Sequence, residues 1–337
     1  MYDIKTYAHL RQMRRNVDMD SVRLLNHRLF LGLLSDPEFQ RVVGFHETGD
    51  FRIDDSNGVL SWSGYGKTIH LVLLGSNQYT AKWEITVCGT KSYFLKTWPT
   101  ASQNPADHHR WLRDMELLKQ RIQKVSVPSK DLLCKVPGIL SYGVIQLDNT
   151  APYATRWILM EYAPGRSLDQ LRGPITGGQA YTITSAVLET LALFQREGLL
   201  HRDVAPRNIV VEWDGEKIEQ IHLVDPDLVK SLHAEQGGTH LTPRHEHALA
   251  YYGATLLEER SRLTADGYAL GFTILYLLSN KHPELLRQEA TDKRFWRELK
   301  KVLKTEHGLG ERQAGILVHV LSRLTNPDWT RRIPDYS

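Results

Sequence analysis

One stretch of the 337-residue chain limits its possible folds more than any other: His201-Arg202-Asp203-Val204-Ala205-Pro206-Arg207-Asn208-Ile209-Val210-Val211. A helical run ending in Glu197-Gly198-Leu199-Leu200 leads into it, and it closes as an apolar, β-branched run. A second such run, Ile221-His222-Leu223-Val224, follows and ends in the acidic turn Asp225-Pro226-Asp227. The predicted order is helix, polar loop, strand, turn, strand, acidic turn. A polar loop held between apolar elements is rigid, and rigidly held loops are where reactive groups are commonly displayed.

Asp203 is placed to accept the proton of an attacking hydroxyl. Asn208 and Asp225 offer oxygen ligands, which suit a hard cation such as Mg²⁺ holding nucleotide phosphates. A polar loop that merely caps a helix is the plainer alternative, but it does not account for the later aspartate. His-Arg-Asp, an Asn five residues beyond the Asp, a strand pair and a further Asp together resemble the protein-kinase-like superfamily. The resemblance implies an α+β, bilobal protein-kinase-like fold, with a small antiparallel β N-lobe and a mainly helical C-lobe. It implies ATP and Mg²⁺ as cofactors, Asp203 as base or substrate orienter, and Asn208 and Asp225 as metal ligands. Arg207 resembles the tyrosine-kinase form of the loop and would neutralise charge on the transferring phosphoryl group.

The same resemblance runs from about residue 69 to residue 335. Ile69–Leu74, Lys82–Val87 and Tyr93–Trp98 read as strands, with Gly89-Thr90-Lys91 as a hairpin turn. The loop Gly75 to Thr80 lies where relatives carry a glycine-rich phosphate loop. Only Gly75 remains of that pattern, which implies a looser cover over the nucleotide. Lys96 matches the strand lysine that contacts the α and β phosphates, whereas Lys82 and Lys91 read as exposed. Asp107–Lys124 reads as a long helix with the stripe Trp111, Met115, Leu118 and Ile122. On it Glu116 resembles the glutamate that pairs with the strand lysine, with Asp114 as competitor. Val127-Pro128-Ser129 reads as the start of a loop. Ile139–Leu147 and Arg156–Met160 read as an antiparallel pair running into a hinge, with Met160 as gatekeeper and backbone groups of Glu161 and Ala163 on the adenine. Thr182–Gln195 reads as a helix supporting the loop. The helix opening at Asp266 resembles the buried one whose aspartate braces the catalytic loop.

Residues 1–65 are expected to form a helical N-terminal extension, residues 66–162 the N-lobe and residues 163–337 the C-lobe. Val22, Leu25, Leu29 and Leu33 recur at helical spacing, so a helix ending before Asp36-Pro37 is expected, docked on its own domain. Gly64-Tyr65-Gly66-Lys67-Thr68 mimics part of a nucleotide-binding P-loop. Ser61 stands where that motif needs glycine, and a strand pattern follows instead of a helix, so it reads as a turn.

A formal net charge of +3 gives no case for nucleic acid as partner. Cys88 and Cys134 are too few for a disulfide framework and read as two small core residues in a reducing compartment. No apolar run approaches a membrane span and no signal peptide opens the chain, so the cytosol is expected, with the nucleus as alternative. His240, His245 and His247 lack the spacing of a zinc site and read as solvated.

Three departures bear on the acceptor. Asp225-Pro226-Asp227 replaces Asp-Phe-Gly, and Asp227 adds a carboxylate there. Ala-Pro-Glu is missing, with Thr242-Pro243-Arg244 as its nearest echo. Ala205 replaces the lysine common in serine/threonine kinases. The expected activity is transfer of the γ-phosphoryl group of ATP to a hydroxyl of a protein or a small molecule, the departures leaning toward a small or unusual acceptor. The alternatives are a pseudokinase scaffold and a kinase-fold pocket reused for other metabolite chemistry.

Overall fold

The computed structural model describes residues 32–44, 50–54, 59–64, 66–76, 81–100, 105–146, 154–171, 174–215, 217–226, 229–231, 264–333 and 336. The chain divides into two compact units, Met1–Lys119 with Gly138–Tyr162, and Gln120–Pro137 with Ala163–Ser337. The fold is α+β.

The first unit is built on an antiparallel sheet. Its strands are β1 (Asp50–Asp54), β2 (Val59–Gly64), β3 (Lys67–Ser76), β4 (Ala81–Val87), β5 (Thr90–Thr100), β7 (Ile139–Gln146) and β8 (Ala154–Glu161), ordered β1-β2-β3-β4-β5-β8-β7. Alternation along each strand sends one set of side chains to each face. Trp62, Ile69, Leu71, Trp83, Ile85, Leu95, Ile145, Trp157 and Leu159 form one apolar face, closed by Leu33, Leu34, Phe39 and Val43. The last two belong to helix α1 (Pro37–Val43), where Asp36 caps the first turn by accepting from the N–H groups of Glu38 and Phe39. Phe39 meets Trp157 edge-on, ring centroids 5.7 Å apart.

Residues 33 and 34 thus dock on their own unit, as expected, whereas Val22, Leu25 and Leu29 lie outside the described residues. Within residues 1–65, expected to be helical, β1 and β2 extend the sheet. The Gly64 segment is a turn: Gly64 pairs with Lys67, and Gly66 has φ +75°. The β4–β5 turn sits one residue earlier than expected. Cys88 and Gly89 both take positive φ, the geometry that a two-residue hairpin of right-handed twist demands. Cys88 is therefore an exposed turn residue, not a core one. Cys134 is buried, and burial pushes its thiol up to about 12.

Helix α2 (Pro105–Ser129) follows β5 and runs through Val127-Pro128-Ser129, taking Pro128 into its last turn where a loop was expected. Trp111, Leu118 and Ile122 of its stripe are buried. Trp111 packs edge-on against Tyr142 and lies under the Arg156 guanidinium. Tyr142 and Arg156 belong to the sheet face opposite the apolar core, so α2 covers that face.

The second unit is mainly helical: α3 (Gly177–Arg196), α4 (Ala265–Ser279), α5 (Pro283–Glu289), α6 (Lys293–Thr305) and α7 (Glu311–Leu324). A capping box between Thr176 and Gln179 starts α3. All of α4 except Tyr276 and Ser279 is buried, so it forms the core of its unit. A small sheet, ordered β6-β12-β11-β9, joins β6 (Cys134–Lys135), β9 (Arg166–Ser167), β11 (Ile209–Asp214) and β12 (Lys217–Leu223). β10 (Leu199–Leu200) pairs with β13 (Lys230–Ser231). Gly165 has φ +113°, and a Cβ there would collide with the Val211 carbonyl, so glycine is required where the chain enters β9.

Candidate active site

The loop from His201 to Asn208 is organised by hydrogen bonds that begin on α4. Asp266, 2% exposed, accepts from the backbone N–H of His201 at 2.7 Å and of Arg202 at 2.8 Å. This is the bracing role the sequence implied for it. Arg202 takes φ +68°, a costly conformation for a side chain of that size, and the Asp266 clamp holds it there. His201 is fully buried, its ring edge-on to Phe194 at 5.7 Å. Burial lowers its pKa, against the pull of Asp266 and Asp203. Its Nδ1 accepts from the Asp203 N–H at 3.3 Å, which fixes the neutral ring with its proton on Nε2.

The Asp203 carboxylate is held from two sides. Oδ1 accepts from the Arg207 guanidinium at 2.7 Å, and Oδ2 accepts from Asn208 Nδ2 at 2.8 Å. Asn208 Nδ2 also donates to the Asp203 carbonyl at 2.8 Å. A short 3₁₀ turn, Pro206–Asn208, sets this spacing, and Pro206 at its first position pre-sets the backbone. Asn208 is fully buried, and its Oδ1 has no hydrogen-bond partner among the described residues. A buried amide oxygen left without a donor is a standing acceptor, which fits a hard cation. The Asn208 carbonyl accepts from the Val224 N–H at 2.9 Å. That bond fixes the start of the acidic turn, where Asp225 takes φ +65°. The structure therefore brings Asp203, Arg207, Asn208 and the Val224 backbone, next to Asp225, into one bonded cluster. Asp227, His240, His245, His247 and Thr242-Pro243-Arg244 lie outside the described residues.

The other predicted residues, Ala163 apart, belong to the first unit. Lys96 is on β5, 7% exposed, across from Ile158 of β8 and Lys82 of β4. Lys82 is half-buried, not exposed as expected, whereas Lys91 is exposed and pairs with Glu84 at 2.7 Å. Glu116 is exposed on α2, and its Oε2 accepts from the Tyr142 hydroxyl at 2.6 Å. Sequence reasoning missed Tyr142, because a strand partner distant in the chain leaves no local signal. Met160 is buried, opposite Phe94 and Ile139. Glu161 closes a two-way bond with Gly138: its N–H donates to the Gly138 carbonyl at 3.0 Å and its side chain accepts from the Gly138 N–H at 2.8 Å. Gly75 pairs with Lys82 at the end of β3, and residues 77–80 lie outside the described residues. Ala163 opens the long segment of the second unit.

The sequence profile of the protein kinase domain matches residues 90–332. The chain belongs to the protein kinase family. It is 31% identical over 189 residues to serine/threonine-protein kinase D of Synechocystis sp., an alignment covering 54% of this chain and 35% of that protein. It is 29% identical over 153 residues to the probable serine/threonine-protein kinase PkwA of Thermomonospora curvata, covering 44% of this chain and 19% of that one. The kinase domain here thus spans about a third or less of the length of these relatives. The structure of vaccinia related kinase 3 shares the fold, with a TM-score of 0.50 and 16% identity over 83% of this chain and 88% of that one. The profile match includes Lys96, the His201–Asn208 loop and Asp266. It leaves out β1 to β4 and with them Gly75 and Lys82. Among the described residues, no helix of this kinase domain is long and apolar enough to cross a membrane.

Proposed function

We propose that this kinase domain transfers the γ-phosphoryl group of Mg²⁺-bound ATP to a serine or threonine hydroxyl of a protein. The observation that carries the reading is the Asp203 carboxylate, held by Arg207 and Asn208 beside a buried amide oxygen left as a standing acceptor. Asp203 accepts the proton of the attacking hydroxyl. Arg207 fixes the direction of that carboxylate and lends positive charge near the transferring group. Asn208 Oδ1 and the Asp225 carboxylate would hold Mg²⁺, which when bound would neutralise phosphate charge. Lys96 contacts the α and β phosphates, and Glu116, steadied by Tyr142, orients it. Met160 borders the adenine, and the Glu161 carbonyl and Ala163 N–H meet its edge. Residues 66–162 act as the nucleotide lobe and residues 163–337 as the acceptor lobe, with 1–65 as an extension.

The missing Ala-Pro-Glu and Asp-Phe-Gly elements leaned toward a small acceptor. The serine/threonine kinases among the relatives favour a protein one. No observation favours the scaffold or the reused pocket. In the same reading the protein works in the cytosol or nucleus, in keeping with two free cysteines.

The test is incubation with γ-labelled ATP and Mg²⁺, together with a generic protein substrate and a metabolite extract. Label is expected in serine or threonine of the protein fraction and is removed by chelating the metal. Asp203→Asn is expected to lower the rate by about 10²–10⁴-fold while still binding ATP, and Asn208→Ala to lose Mg²⁺-dependent binding as well. Label confined to the metabolite fraction would move the acceptor to a small molecule, and none in either fraction would end the phosphotransferase reading.

A further inference from the structure

Lys82 of β4 stands directly opposite Lys96 of β5. Residues so paired share one sheet face with their Cβ atoms about 5 Å apart. The next pair along the chain, Trp83 with Leu95, points into the apolar core, so the two lysines share the opposite face. Lys96 is 7% exposed and Lys82 half-buried. On its other side Lys82 pairs with Gly75, which adds no side chain to the row. The carboxylate two residues along β4, Glu84, is engaged by Lys91 at 2.7 Å. Two ammonium groups carried side by side on one sheet face can both donate charge-assisted hydrogen bonds to a multiply charged anion lying along the row. The row begins at Gly75, the one glycine left in a loop that relatives fill with glycines.

We infer that Lys82 is a second phosphate-binding residue of the nucleotide site, its ammonium donating to the triphosphate beside that of Lys96. It supplies by charge what the depleted loop no longer supplies by backbone N–H groups. The inference rests on the phosphotransferase reading above. It concerns a part of the chain outside the kinase-profile match.

The test measures equilibrium binding of Mg·ATP, Mg·ADP, adenosine and inorganic tripolyphosphate to the full chain, as wild type, Lys82→Met and Lys82→Arg. Lys82→Met is expected to weaken Mg·ATP and tripolyphosphate about tenfold or more. Adenosine binding stays at the wild-type level, and Lys82→Arg restores most of the loss. In turnover the KM for ATP rises while kcat changes little. The thermal midpoint of each variant without ligand is recorded as the check on folding. If Lys82→Met does lower it, Lys82→Gln carries the comparison under the same criteria. Unchanged Mg·ATP binding in the variant, or an equal loss of adenosine, overturns the inference and leaves the phosphotransferase reading standing. A wild-type chain that binds none of the four probes overturns both.

Discussion

Asp266 commits both carboxylate oxygens to consecutive backbone amides, and His201 beside it stays neutral because it is sealed from water. The neutral state has a consequence for pH. Burial holds the folded pKa of His201 below its ordinary 6.5, so in acid the unfolded chain binds a proton that the folded chain refuses. The contribution is complete above pH 6.5 and is lost as the pH falls below it, by up to about 1.4 kcal/mol for each pH unit. Melting curves between about pH 5 and about pH 8 are expected to show this fall, and His201→Gln to flatten it. Equal slopes in the two proteins would assign the acid sensitivity to other groups. The cluster of Asp203, Arg207 and Asn208 was legible in the sequence because a single short loop carries all three. Lys82 was misread as exposed because strand register, not local pattern, sets it beside Lys96. Tyr142 was invisible for the same reason.

Among the elements, α1 has a role its seven residues do not advertise. Its Phe39 is fully buried against Trp157, and with Leu33, Leu34 and Val43 it seals one face of the seven-stranded sheet. Phe39→Ala is expected to lower unfolding free energy by about 3–5 kcal/mol, read as a shift in the urea midpoint. A loss under about 1 kcal/mol would mean that α1 is an ornament on a sheet stable without it. The strands β3 to β5, β7 and β8 were readable from alternation, as was α2 from its apolar stripe. β1 and β2 were not: Asp50–Gly64 mixes charged, small and apolar residues with no clean period, and only pairing with β3 makes the second of them a strand. Pro128 misled in the other direction: it removes one i→i−4 bond, but it stands one residue before the end of α2, so the helix stops there rather than before it.

At the scale of the whole molecule, Tyr336 ties the far end of the described chain to the middle of the second unit. Its hydroxyl accepts from the Gly267 N–H at 2.9 Å, and its own N–H donates to the Gln195 side chain at 3.1 Å. Burial pushes its phenol above the ordinary range, so the hydroxyl stays protonated. Gly267 adjoins Asp266, so this contact backs the residue that clamps the catalytic loop. Tyr336→Phe is expected to destabilise the second unit by about 1–3 kcal/mol through the orphaned amide, seen as faster hydrogen exchange at the start of α4. Unchanged exchange there would show that α4 needs no such tether. The seal on the first unit carries a different consequence, one of timing. Leu33, Leu34 and Phe39 are synthesised before Trp157 and Leu159, their partners on β8, with β3 to β5 and α2 in between. Until then the nascent chain carries this apolar segment without its β8 partners. Contacts so distant in sequence fold slowly and leave adhesive surface exposed meanwhile, so this face of the first unit is sealed only once β8 is in place.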